Sequence, residues 1–281
     1  MTNINLSRFL NRLLTGVILS SVFISLYAQK EQIDKNFIPH SGQDGKDVVW
    51  VPTPQVLVEK MLDIAKVTSE DFVIDLGSGD GRTVITAAKR GAWARGIEYN
   101  PNMVELSRRH AAAAGVSDRA EFIQDDLFEA DLSQATVITM FLLTDINLRL
   151  RPILLELKPG TRIVSNTFDM GEWIPDEKAL DIEDCESWCD ALLWIVPANV
   201  EGMWKMPQGE LFLSQEFQMV SGNLKTGKNI ISISEGKLYG DQITFNAKDE
   251  EYSGRVNGNS IEGTVTTGKR NNKWNAKRTE N

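Results

Sequence analysis

The chain has 281 residues, 42% hydrophobic and 25% charged, with two cysteines and a formal net charge of −9. That is the composition of a globular chain with room for one α/β domain and a smaller module, not of a disulfide-dense scaffold. Nothing in it supplies the basic face that tracks nucleic-acid phosphates, so nucleic acid is not an expected partner.

Residues 1–28 read as a signal peptide. Arg8 and Arg12 precede the apolar run Leu13 to Leu26, no acid occurs before Glu31, and Leu26-Tyr27-Ala28 is an acceptable cleavage site. The run is shorter than the roughly 20 residues of a spanning helix. Export to the periplasm or medium is predicted, with an uncleaved inner-membrane anchor as the alternative and no span after cleavage. Residues 29–49 form a polar N-terminal arm containing Pro39, Gly42 and Gly45. The main domain is placed at 50–198. Thr53 is the expected N-cap and Pro54 the first residue of a helix whose Val56, Leu57, Met61, Leu62, Ile64 and Ala65 recur at helical spacing.

The chain is organised around Asp71 to Arg82, DFVIDLGSGDGR. Phe72-Val73-Ile74 is a buried-strand run, Asp75 ends it, and Gly77, Ser78, Gly79, Asp80 and Gly81 form a tight turn into a helix starting near Thr83. A dinucleotide fingerprint, G-x-G-x-x-G, would have a glycine where Arg82 stands. A carboxylate at Asp75 repels a pyrophosphate but suits a ligand with an ammonium group, such as S-adenosylmethionine. Downstream, Glu98 closes the next strand near the spacing at which an acid takes ribose hydroxyls. A second helix, Asn102 to Ala114, ends at Gly115. A third strand, Phe122 to Asp126, ends in acids, and Asp126 could accept the adenine amine. Val137 to Phe141 is strand four, Leu142 to Asn147 a loop at the functional edge, Leu148 to Leu157 a helix interrupted at Pro152, and Thr161 to Ser165 strand five. Strands alternating with helices predict a Rossmann-like, doubly wound, mostly parallel sheet.

Cys185 and Cys189 flank Glu186-Ser187-Trp188 ahead of a strand at Ala191 to Val196; in an exported chain they are candidates for a disulfide. Asp181, Glu183, Asp184 and Glu186 read as a solvated loop. No metal site is expected. From about residue 199 to 281 the pattern changes to short alternating runs separated by Gly240-Asp241 and Asn257-Gly258, an antiparallel β meander or small open barrel.

VIDLGSGDGR, GIEYNP and DDLFEADL resemble the motifs of class I S-adenosylmethionine-dependent methyltransferases. VPTP, LGSGDGR, EYNP and MFLLTDIN resemble, more narrowly, the lysine N-methyltransferase family that includes the enzymes of the ATP synthase c-subunit and the adenine nucleotide translocase. The resemblance covers roughly Trp50 to Pro197. It implies S-adenosyl-L-methionine as cofactor, held by Asp75, Gly77, Ser78, Gly79, Gly81, Glu98, Tyr99, Asp126 and Leu127, with the arm and first helix closing over it. It implies a protein lysine or other small amine as acceptor.

Phe141, Asp145 and Asn147 after strand four are the expected catalytic positions, with Thr144 beside them and Phe168, Asp169 and Trp173 after strand five as further candidates. Aromatic rings there could hold an ammonium by cation–π contact. The residues alone leave open a small-molecule or lipid acceptor, and a catalytically silent cofactor-binding scaffold acting through the β module.

Overall fold

The computed structural model describes residues 33–34 and 36–279, so the signal-peptide reading of residues 1–28 lies outside the described residues. From Ile38 to Thr279 the described chain forms one compact unit. Its first part is a seven-stranded sheet of β1 (Phe72–Leu76), β2 (Trp93–Glu98), β3 (Ala120–Gln124), β4 (Val137–Met140), β5 (Arg162–Asn166), β6 (Glu177–Ala179) and β7 (Ala191–Ile195). The strand order is β3-β2-β1-β4-β5-β7-β6. β1 pairs parallel with both β2 and β4, and β4 with β5, whereas β7 pairs antiparallel with β5 and β6. The order reverses between β1 and β4, and a crevice opens beyond the carboxyl ends of strands at such a point.

Helices α1 (Gln55–Ile64), α2 (Arg82–Lys89), α3 (Pro101–Ala113) and α4 (Thr144–Leu155) cover the sheet. Side chains of a strand alternate between faces, and both faces here are buried. Val73 joins Leu57, Leu62, Val84 and Val104 in one core, while Ile74 and Leu76 join Ile146, Leu150, Leu154, Trp173 and Trp194 in another. No helix among the described residues is long and apolar enough to cross a membrane.

Eight further strands, β8 (Gly202–Met206), β9 (Gly209–Glu216), β10 (Met219–Thr226), β11 (Asn229–Tyr239), β12 (Gln242–Ala247), β13 (Glu250–Asn257), β14 (Ser260–Thr267) and β15 (Arg270–Arg278), close into a barrel. The expected antiparallel meander or small open barrel is a barrel, and a closed one: β15 pairs back on β8 through Lys277↔Lys205 and Arg278↔Trp204. Closure removes both sheet edges. The interior is filled by Trp204, Phe245, Tyr252 and Trp274, with Phe245 stacked on Tyr252 at 4.7 Å, so it is a packed core and not a ligand cup.

The barrel docks on the sheet through the β9–β10 turn. The Phe217 ring stacks on Trp173 at 6.0 Å, Gln218 donates to the Ile174 carbonyl at 2.6 Å, and Lys237 reaches the buried Asp176 carboxylate at 3.3 Å.

Several expected boundaries move. The amide groups of Leu57 and Val58 both donate to the Pro54 carbonyl, so Pro54 and not Thr53 sits at the N-cap of α1. β3 ends at Gln124, and Asp126 lies in the loop beyond it. The largest change is at Leu142 to Asn147. α4 begins at Thr144, and Ile146 and Asn147 amides already donate to the Leu143 carbonyl, so Asp145 and Asn147 are on a helix and not in a loop. α4 also runs through Pro152: the missing N–H removes one bond, and burial of Ile146, Leu150 and Leu154 outweighs it.

Candidate active site

The glycine turn is built by backbone geometry that only glycine adopts without strain. Gly81, at φ +83°, starts α2, and a Cβ there would lie 2.8 Å from the Phe122 ring and 2.9 Å from Ser107 Cβ. Ser107 Oγ, fully buried on α3, donates to the Gly79 carbonyl at 2.8 Å and fixes the far side of the turn. Arg82 pairs with Asp80 at 2.6 Å and donates to the Thr53 carbonyl at 2.8 Å. The residue that breaks the dinucleotide pattern therefore ties the turn to the start of α1.

Two carboxylates flank this turn on one sheet edge. Asp75 is buried at the end of β1, where Thr139 Oγ1 donates to Oδ1 at 2.6 Å. Burial pushes its carboxyl up to about 7, against the hydrogen bonds from Thr139 and Thr83, and the negative Asp80 and Glu98 push the same way. Glu98, at the end of β2, is also raised by burial; it accepts from Gly79 N at 3.0 Å and Asn100 N at 2.8 Å, which oppose the shift. Ser78 Oγ is buried on the turn without a protein hydrogen-bond partner. These groups, with Gly77, Tyr99, Leu127 and Phe141, line one cavity.

The arm roofs that cavity. Gly42 N donates to Trp50 O and Trp50 N to Gln43 O, closing a short hairpin. The Trp50 indole lies against Gly79, in the space any Cβ would need. Lys46 pairs with Asp126 and sits 5.0 Å from the Tyr99 ring centroid; the pairing, then the Phe128 amide, hold the Asp126 carboxyl below its ordinary value. Trp50 and Lys46 are not among the expected site residues. Trp50 shows in the sequence only as the head of WVPTP, and Lys46 in a polar arm carries no signal at all.

The expected catalytic residues separate. Phe141 lines the cavity at the end of β4, with the ring of Phe168 stacked on it at 6.0 Å. Asp145 is exposed on the first turn of α4. Asn147 is fully buried, and its Nδ2 donates at 3.1 Å to the carbonyls of both Phe168 and Asp169. Asn147 thus holds the loop after β5 against α4 and does not line the cavity. Asn147→Ala is expected to cost about 1–3 kcal/mol of stability by orphaning those carbonyls, read as a lowered Tm in a thermal melt. Trp173, a candidate by sequence, is fully buried under Phe217 and belongs to the core.

Comparison with known proteins gives a consistent set of likenesses. The family model for the ANTKMT methyltransferase domain matches residues 75–177. A protein-lysine N-methyltransferase of Saccharolobus islandicus is 45% identical over 152 residues, covering 53% of this chain and 89% of that protein. The ATP synthase c-subunit lysine N-methyltransferase of Mus musculus is 40% identical over 105 residues, which are 37% of this chain and 42% of that protein, so the chain spans less than half of its length. A crystal structure described as an RNA methyltransferase of Salinibacter ruber, in complex with S-adenosyl-L-homocysteine, matches with TM-score 0.50 and 49% identity, over 53% of this chain and 96% of that one.

Proposed function

The chain belongs to the S-adenosylmethionine-dependent methyltransferases of the ANTKMT family, and from that premise we propose that it methylates the ε-amine of a protein lysine. The observation that carries the cofactor assignment is Asp75. A buried carboxylate with only neutral hydrogen-bond donors and negative neighbours is matched by the ammonium end of S-adenosylmethionine. Glu98 stands where the ribose hydroxyls would be taken, and Ser78 Oγ offers an unused polar group on the same turn. When bound, S-adenosylmethionine supplies a methyl group already activated by its sulfonium charge. The chain's own task is then to align a neutral amine with it. Exposed carboxylates at Asp145 and Asp169 attract a cationic side chain, and the rings of Phe141 and Phe168 desolvate it, which lowers an amine's pKa.

RNA is the second reading, because the Salinibacter ruber protein is described as an RNA methyltransferase. The net charge of −9 and the carboxylates beside Phe141 favour a cationic acceptor over a polyanion. We also place the protein outside the cytosol. The Cys185–Cys189 disulfide suits an oxidising compartment, as does the apolar segment within residues 1–28. Incubation with labelled S-adenosylmethionine and either envelope proteins or total RNA tests the acceptor. Label on lysine is the expected result; label on RNA or on a small molecule overturns the lysine assignment.

A further inference from the structure

We propose that Phe141, Phe168 and Trp188 form the entrance through which the acceptor's cationic side chain reaches the cofactor cavity, and that the Cys185–Cys189 bond holds Trp188 in that entrance. The proposal rests on the lysine reading above and adds to it a residue and a covalent bond.

Three observations carry it. The first is contiguity. The Phe141 ring lines the cofactor cavity, and the Trp188 ring packs on it at 6.0 Å and 59°. Trp188 also lines a second cavity, with Thr167, Ile182, Glu186 and Asp190. Phe141 lines the first cavity, Trp188 lines the second, and the two rings meet, so a side chain passing from the second to the first crosses them. A cation within about 6 Å of a ring centroid is attracted to its face.

The second is that packing does not account for the rings. None of the three belongs to a hydrophobic core cluster, although Met140 and Leu142 on either side of Phe141 do. Phe141 and Phe168 are half-buried, and Trp188 is 44% exposed. Adjoining exposed aromatic surface at a cavity mouth marks a contact site.

The third is the loop. Cys185 and Cys189 are bonded, closing a short ring that contains Trp188. Trp188 has φ +51°, and Thr167, Asp181 and Asp184 around it also have φ between +50° and +60°. Left-handed backbone is costly for bulky and β-branched residues and persists where its surroundings enforce it. Cys185 is anchored against the core under α1, so the bond transmits that anchorage to the residue beside Trp188.

The test uses the oxidised chain labelled with 5-fluorotryptophan and saturated with S-adenosylhomocysteine. The probe is a blocked peptide with one lysine among glycines, compared with its norleucine counterpart. The fluorine resonance missing from Trp188→Phe should move on titration with the lysine peptide and stay put with norleucine. Trp188→Ala should weaken the peptide about tenfold and leave S-adenosylhomocysteine affinity unchanged. Cys185→Ser with Cys189→Ser, or mild reduction of the wild-type chain, should do the same; the unchanged cofactor-product affinity certifies the fold. If the lysine peptide binds while the Trp188 resonance is unmoved and Trp188→Ala is neutral, the entrance is overturned and the lysine reading stands. If opening the disulfide leaves peptide affinity intact, its role is overturned. If wild-type chain with bound S-adenosylhomocysteine neither binds the lysine peptide nor labels it from S-adenosylmethionine, the lysine reading falls and the entrance with it.

Discussion

Asp75→Asn is expected to weaken S-adenosylmethionine binding by about two orders of magnitude at pH 8, and to make the ligand-free protein more stable at that pH. Both effects come from one buried carboxylate. Its folded pKa of about 7 lies above the ordinary 3.8, so the folded protein holds a proton that the unfolded chain has released. The stability contribution is fully present below about pH 4 and declines as pH rises through 7. A shift of about three units corresponds to a loss of at most about 4 kcal/mol. Asparagine keeps the shape and has no charge to desolvate, so its thermal transition should fall less over that interval than that of the wild type. The cofactor reverses the sign. An ammonium ligand needs the carboxylate ionised, so wild-type affinity should drop by up to tenfold per pH unit below 7, as binding must expel a proton. Loss of a buried charged partner is worth about 3 kcal/mol, which sets the hundredfold. Glu98, raised in the same direction, leaves a shallower pH dependence in the variant. Calorimetric titration from pH 5.5 to 8 measures all of this; a variant with wild-type affinity and pH profile would remove Asp75 from the cofactor site.

The half of the fold that holds this site was legible because its signals are local. The apolar run Phe72-Val73-Ile74 ahead of Asp75 gives β1, the run closed by Glu98 gives β2, and the glycine spacing gives the turn between β1 and α2. The reading failed where structure depends on distant residues or lacks a terminal signal. α4 starts at Thr144 after Leu143, which provides no side-chain cap, so nothing marked the helix start and Asp145 and Asn147 read as loop. The spacing of Cys185 and Cys189 suggested their bond, but the partner of Trp188 is Phe141, far away in sequence. Trp173 looked like a site residue because it follows β5. Its burial is decided by Phe217, which the sequence places in another module altogether. The alternation from residue 199 gave strands, yet barrel closure rests on the pairing of β15 with β8, the last strand with the first.

Removing the barrel by ending the chain at Ala198 is expected to give an aggregating or non-cooperative protein, although the seven-stranded sheet is complete at Ile195. Sequence alone favours the opposite outcome, a foldable domain. The difference lies in the surface this chain presents to its barrel. Truncation removes Phe217 from the face of Trp173, the Gln218 amide from the Ile174 carbonyl and Lys237 from Asp176, whose side chain is 1% exposed. It also removes the Gly240 carbonyl that accepts from Ala198 N. Uncovering a large apolar side chain costs about 1.5–3 kcal/mol, and unpairing a buried carboxylate about 3–5 kcal/mol. Together these rival the 5–15 kcal/mol of an ordinary domain. The exposed Trp173 and Ile174 would also lie next to the Phe168 loop that Arg151 secures through the Met170 carbonyl, so the acceptor side of the site should loosen before the Asp75 side. The single change Phe217→Ala in the full chain should therefore lower Tm while leaving S-adenosylmethionine affinity within about twofold. A truncated chain that stays monomeric, melts cooperatively and binds the cofactor at full strength would show that the barrel is not needed to cover this face.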